Sequence, residues 1–176
     1  LDFEMSFVTQ EEVFSALEPV LHGIFEAFSE GKKISPYPFR RITYADSMLK
    51  YGSDKPDLRI PFEISDVTEV FDGSGFGIFA GAIKSGSIVR AIPAPKTADS
   101  PRSFFDKLNN WARGEGAKGL GYIIFDDAGE PKGPIAKHLD EARVEKLKEI
   151  TGANPGDAVF FACDTPNEAA KFAGAA

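Results

Sequence analysis

The sequence is poor in the residues that most often carry chemistry. It has one cysteine and two histidines in 176 residues. No internal disulfide can form, and neither paired cysteines nor an H-E-x-x-H helix is present to build the usual metal sites, so no metal ligand set is predicted. A G-x-S-x-G nucleophile elbow is missing as well. No apolar run approaches the roughly 18 to 20 residues that a bilayer span needs, and the start carries no basic-then-apolar leader. These absences predict a soluble chain with no membrane partner and a cytoplasmic location. Cys163, inside "AVFFACD", reads as a small buried hydrophobe rather than a nucleophile, which fits a reducing compartment.

Positive charge is also scarce. A net charge of −7 and a pI near 4.9 argue against a free-standing nucleic-acid binder, whose phosphate contacts need clustered Lys and Arg. The deficit is uneven. Residues 1–66 hold 12 acids against 7 bases, whereas residues 67–157 hold 13 against 12, which leaves room for a local contact with RNA in the near-neutral middle.

What is present supports a folded core. Hydrophobic residues make up 43% of the chain and aromatics 12%, enough for one domain with an appendage. The chain opens, without an initiator Met, on "LDFEMSF", whose odd positions are apolar and even positions polar. That alternation predicts a half-buried strand with Leu1, Phe3, Met5 and Phe7 on one face and Asp2, Glu4 and Ser6 on the other. Two readings stay open: an edge strand with solvated acids, or a strand of a larger sheet whose polar face lines a site. Thr9 and Glu12 form a capping-box pattern ahead of a helix with Val13, Leu17, Leu21, Ile24 and Phe28 on one face, kinked or split at Pro19. His22 on that helix reads as structural.

Residues 31–40 read as a connection. A short helix follows, capped by Thr43 and closed by Gly52, and then a charged segment, Ser53–Arg59, that is either a surface loop or a joint whose charges pair across it. Beyond Asp66, "FGIFAGAI" and "SIVRAIPA" read as two strands joined by a "KSG" hairpin turn. Ser100 and Pro101 open a helix with Phe104, Phe105, Leu108, Trp111 and Ala112 on its apolar face. "GLGYIIF" is a strand, Asp140 caps a helix closed by Gly152, and "AVFFACD" is a last strand before an Ala-rich helix. The order implies an α+β domain of two layers, a sheet with helices on one face. "GSGFG" at 73–77 lacks the strand–loop–helix context of a phosphate loop and reads as turns and a bulge. His138 reads as a surface or cap residue and Asp126-Asp127 as turn residues. No complete catalytic set is visible.

Several strings nevertheless resemble one family from end to end. "LDFEMSF" is similar to the second strand of motif 2 in class II bacterial-type aspartyl-tRNA synthetases, and "FRRITYADSMLKYGSDKPDLR" resembles the segment leaving their catalytic domain. "GSIVRAIPAP", "GAKGLGYI" and "GPIAKHL" resemble landmarks of the GAD insertion, and "AAKFAGAA" its exit. The resemblance implies a catalytic-domain remnant at 1–66, a DCoH-like GAD insertion at 67–164 and an exit segment at 165–176.

It also implies a parent that activates L-aspartate with ATP and Mg2+ and transfers it to tRNA(Asp), with tRNA(Asn) left open, and that works as a homodimer. Asp2 matches the carboxylate that faces the substrate's α-ammonium; Glu4, on the same face, is a weaker candidate. Arg90 and Lys118 are candidates for the tRNA side. His138 departs from the hydrophobic residue expected there. Motif 1, the motif 2 arginine, motif 3 and the anticodon-binding domain have no counterpart in these residues, so this chain alone is expected to be an inactive monomer with no bound cofactor. The alternative is a self-standing tRNA-interaction or scaffold module related to the GAD domain of the tRNA-dependent amidotransferase B subunit. The flanking strand and helix favour the synthetase.

Overall fold

A computed structural model describes residues 2–176. Packing divides the chain into two units, Leu1–Ile42 and Thr43–Ala176.

In the first unit, α1 (Gln10–Phe28) starts where the capping pattern places it. The Glu12 carboxylate accepts from the Thr9 backbone N–H at 2.7 Å and from the Thr9 hydroxyl at 2.9 Å, and the first of these bonds is the main reason its carboxyl is held below its ordinary range. The helix runs unbroken through Pro19 rather than splitting there. The predicted first strand does not form: Asp2–Phe7 are in no strand, and Phe7 takes a positive φ of 59° with its side chain fully exposed. An alternating segment becomes a strand only when a neighbour completes its hydrogen bonds, and no such neighbour exists among the described residues. Leu1 lies outside the described residues.

In the second unit, α2 (Tyr44–Tyr51) is capped by the Thr43 hydroxyl, which accepts from the Asp46 N–H at 3.0 Å, and ends on Gly52 in the left-handed region at φ 64°. Next come β1 (Ser65–Asp66), α3 (Thr68–Phe71), α4 (Gly77–Lys84), β2 (Ile88–Ala94) and α5 (Arg102–Gly114). They are followed by β3 (Gly121–Phe125), β4 (Pro131–Lys132), a 3-10 turn (Ala136–His138), α6 (Glu141–Thr151), β5 (Ala158–Asp164) and α7 (Pro166–Ala175). The strands form one antiparallel sheet in the order β1-β2-β5-β3-β4, so the α+β reading holds.

One expectation fails. "FGIFAGAI" is helix α4 and not a strand, and "KSG" is its C-terminal turn, in which the Ser85 and Gly86 N–H groups donate to Ala82 and Ile83 carbonyls. A short apolar run has no periodicity that separates a buried strand from a buried helix. Helix α5 begins one residue later than predicted, with Pro101 in the cap position.

The sheet is covered on both faces, where one was expected. Val89, Ala91, Val159 and Phe161 pack with Phe71 of α3, Phe79 of α4 and Leu147 of α6. Ile92, Ala158, Phe160 and Ala162, the alternate positions of the same strands, pack with Phe105 and Ala112 of α5 and Ala173 of α7. This is why "AVFFACD" is continuously apolar: a central strand with both faces buried has no polar side to show.

Helix α7 closes the unit against α2 by backbone approach. A Cβ on Gly174 would stand 2.7 Å from the Tyr51 carbonyl oxygen, and one on Gly52 2.6 Å from the Gly174 nitrogen. Both positions therefore require glycine.

Candidate functional site

The proposed substrate-facing pair, Asp2 and Glu4, lies on the irregular N-terminal segment, exposed and without a hydrogen-bond or ion-pair partner among the described residues. Neither lines the groove described below.

Arg90 and Lys118 stand in different surroundings. Arg90 lies opposite Asp66 in the β1–β2 register, and its Nη1 donates to Asp66 Oδ2 at 2.7 Å. Its side chain is 13% exposed, and its Nε is buried without a hydrogen bond. The guanidinium is thus committed to fastening the two-residue strand β1 onto β2. Lys118 is exposed in the loop between α5 and β3.

That loop is one bank of the main groove among the described residues, about 840 Å³ in volume. Aromatic rings form its floor: Phe76 and Phe79 from the start of α4, Phe105 from α5, Tyr122 from β3 and Phe172 from α7. Phe105 and Tyr122 stack with centroids 4.4 Å apart. Its polar border carries Asp106, Glu115, Asp164 and Glu168 against Arg102 and Lys118. Asn109 shapes the loop bank by accepting the Leu120 N–H at 3.0 Å, and a side chain on Gly119, at φ 148°, would strike that same Asn109 oxygen. Arg90 does not line this groove.

Cys163 also lines it and is half-buried, not fully buried as its apolar run suggested. Burial raises its thiol pKa, the Asp164 carboxylate adds to this, and Lys118 opposes it. The thiol is therefore protonated at neutral pH, the reverse of an activated nucleophile.

The remaining candidates resolve as structural. His22 sits 3.5 Å from Glu26 and edge-on to Tyr37, with centroids 5.2 Å apart. His138 lies in the 3-10 turn, its ring near that of Phe76 and its carbonyl where a Cβ on Gly75 would stand, at 2.9 Å. "GSGFG" is preceded by helix α3 and followed by helix α4. The missing element of a phosphate loop is therefore the strand before it, not the helix after it, and Gly73 serves a turn at φ 64°.

Asp126 closes the β3–β4 turn by accepting from the N–H groups of Ala128 and Glu130. Its pairing with Lys132 at 2.7 Å is the first cause of its lowered pKa. In Ser53–Arg59 the charges pair with near neighbours, Lys55 with Asp54 and Arg59 with Asp57, as a surface loop would. No helix of the described residues is long and apolar enough to cross a membrane, and no group of three or more His, Cys, Asp or Glu among them could hold a metal ion.

Comparison with known proteins adds the context that the site lacks. A family model described as the GAD domain matches residues 79–173. The chain is 65% identical over 174 residues to the aspartate–tRNA(Asp/Asn) ligase of Paramagnetospirillum magneticum, covering 99% of this chain and 20% of that protein. It is 64% identical over 174 residues to the enzyme of the same description from Acidiphilium cryptum, and 58% identical over 176 residues to that of Zymomonas mobilis, covering 29% of each. The chain thus spans between a fifth and three-tenths of the length of these relatives.

Proposed function

The chain belongs to the GAD domain family, and on that premise we propose that it is the GAD-bearing portion of an aspartate–tRNA ligase. The carrying observation is identity of 58–65% sustained along 99–100% of the chain to proteins of that description. The parent activates L-aspartate with ATP, assisted by Mg2+, and transfers it to tRNA(Asp) or tRNA(Asn). It acts as a cytoplasmic homodimer. Residues 1–66 derive from its catalytic domain, 67–164 from the insertion and 165–176 from the return.

In that setting Asp2, with Glu4 beside it, faces the α-ammonium of the amino acid. An ammonium taken into a pocket must be paired, and a fixed carboxylate does this while rejecting acids that lack the amine. The arginines that hold ATP's phosphates, and the site of the magnesium, belong to other parts of the parent. This chain's residues therefore bind and orient, and do not activate. Lys118, exposed and without an ion pair, is the better tRNA-side candidate, whereas Arg90 acts by holding β1 in place. The open apolar face of α1 supports the reading, since Val20, Ile24, Phe25 and Phe28 are all 47% or more exposed, as expected of a helix that the rest of the parent covers.

Aspartate-dependent exchange of pyrophosphate into ATP by the 176-residue chain tests the inactive part of this reading. No exchange above background is expected, and robust exchange would refute it. Deleting residues 67–160 from a full-length parent should reduce tRNA charging while leaving adenylate formation in place. The opposite pattern, in a folded protein, would rule out a tRNA-side role.

A further inference from the structure

The groove beside Lys118 has a second property, seen in the strand registers. β5 pairs with β2 along its whole length, from Ala158 opposite Ala94 to Asp164 opposite Ile88. On its other side β3 accompanies it only as far as Gly121, which lies opposite Phe161. Ala162, Cys163 and Asp164 therefore have a strand on one flank and none on the other. Successive residues of a strand direct their N–H and C=O groups to alternate sides, so at least one of these three presents both groups to the vacant flank. Outside the sheet, no hydrogen bond to the backbone of Ala162–Asp164 is found among the described residues.

The vacant flank opens into the groove at Cys163 and Asp164, which line it and are partly exposed, while Ala162 beside them is buried. Phe79 from the helical layer on one face and Phe105 and Phe172 from the layer on the other wall it above and below. The result is a slot between two helical layers, where the sheet would continue if β3 were longer. Its volume falls within the range of formed ligand sites.

The charges choose the occupant. Among the described residues, Glu115, Asp164 and Glu168 have no cationic partner, and Asp106 has only the exposed Arg102 at 3.8 Å. Lys118 is the one unpaired cation on the border. Four carboxylates against two cations make the slot favour positive charge. We infer that the slot receives an extended, basic stretch of polypeptide, which adds as a strand beside Ala162–Asp164. Its backbone completes the open flank, its apolar side chains meet either Phe79 on one face of the sheet or Phe105 and Phe172 on the other, and its Lys or Arg residues meet the carboxylates. Strand addition draws affinity from the main chain and specificity from alternate side chains. The inference does not depend on the tRNA-side role given to Lys118.

The test uses the 176-residue chain, isotopically labelled, with an acetylated and amidated hexapeptide of alternating lysine and valine as the probe. Amide signals of 162–164 and 118–121 should shift and exchange more slowly. A peptide with glutamate in place of lysine, and one with proline in place of valine and so lacking those N–H groups, should each bind at least tenfold more weakly. The double variant Glu115→Lys with Glu168→Lys changes two exposed side chains and should weaken the lysine peptide about three- to tenfold while strengthening the glutamate peptide. Equal binding of the three peptides would overturn the inference, as would unmoved signals at 162–164, indifference to the double variant, or tighter binding of oligouridylate in the same slot.

Discussion

The two units of this chain hold themselves together by different means. In Thr43–Ala176, aromatic and aliphatic side chains from both sides of a five-stranded sheet meet in two apolar clusters. Phe71, Phe79 and Phe161 are in mutual edge-on contact, with centroids 5.0, 5.1 and 6.4 Å apart. In Leu1–Ile42, one helix and a following loop are joined by polar and aromatic contacts. Arg41 pairs with the buried Glu18 and lies over the Phe14 ring at 4.2 Å, while Tyr37 and Phe39 flank His22.

The covered face of α1 is thus the one carrying Phe14, Glu18 and His22. The broad apolar face that the 3.6-residue period marks out is left open at Ile24 and Phe28. Most of a helix's stability in a protein comes from packing of its amphipathic face, and here much of that face is open, so the first unit depends on partners in a way that the second does not.

The comparison can be broken most directly in the core. Phe161→Ala should cost about 3–5 kcal/mol, seen as a large fall in the thermal midpoint of the second unit. Phe28→Ser, at a position 79% exposed, should leave that midpoint within the change expected for a surface substitution. Equal losses for the two would erase the contrast.

Gly52→Ala places a methyl group against the α7 backbone in a left-handed conformation and should cost about 2–4 kcal/mol by urea denaturation. Glu18→Ala removes the carboxylate that anchors Arg41 and should speed amide exchange at 37–42 by about tenfold while leaving the second unit unchanged. Asp140→Ala removes the α6 cap, a bond of 2.9 Å to the Arg143 N–H, for about 1 kcal/mol.

The smallest effect is at Asp57. Arg59 holds its carboxyl at about 2, below the ordinary value of 3.8. Its contribution is therefore present above the ordinary value and disappears as pH falls through about 2. The group is fully exposed, so Asp57→Asn should barely move the acid limb of unfolding, while Arg59→Gln should return the Asp57 titration, followed by NMR, to the usual range.

Caps and periodic helices were legible in the sequence because their signals are local: Thr9 with Glu12, Thr43 with Gly52, and Asp140 with Gly152 mark their helices. α4 was not, since an apolar run of eight residues fits a strand equally well. Strands β1 and β4, two residues each, exist only through register with β2 and β3, which no local pattern encodes. The apolar stripe of α1 was visible, but its exposure depends on what lies beside it.

Of the site, Asp2, Glu4 and Lys118 could be nominated by resemblance or charge, whereas the groove could not. Its walls come from segments between Phe76 and Phe172 that only the fold brings together. Arg90 looked like a free base because its partner, Asp66, is 24 residues away.

The glycine contact between α2 and α7 has one more consequence. It holds the C-terminal end of α2 against the last turn of α7, so the first and the last helix of the second unit are pinned to each other. Pinned terminal helices of this kind keep the two ends of a domain from drifting apart, which suits a domain that is carried within another. A side chain at Gly52 or Gly174 would part the two helices, and both ends of the unit would loosen together.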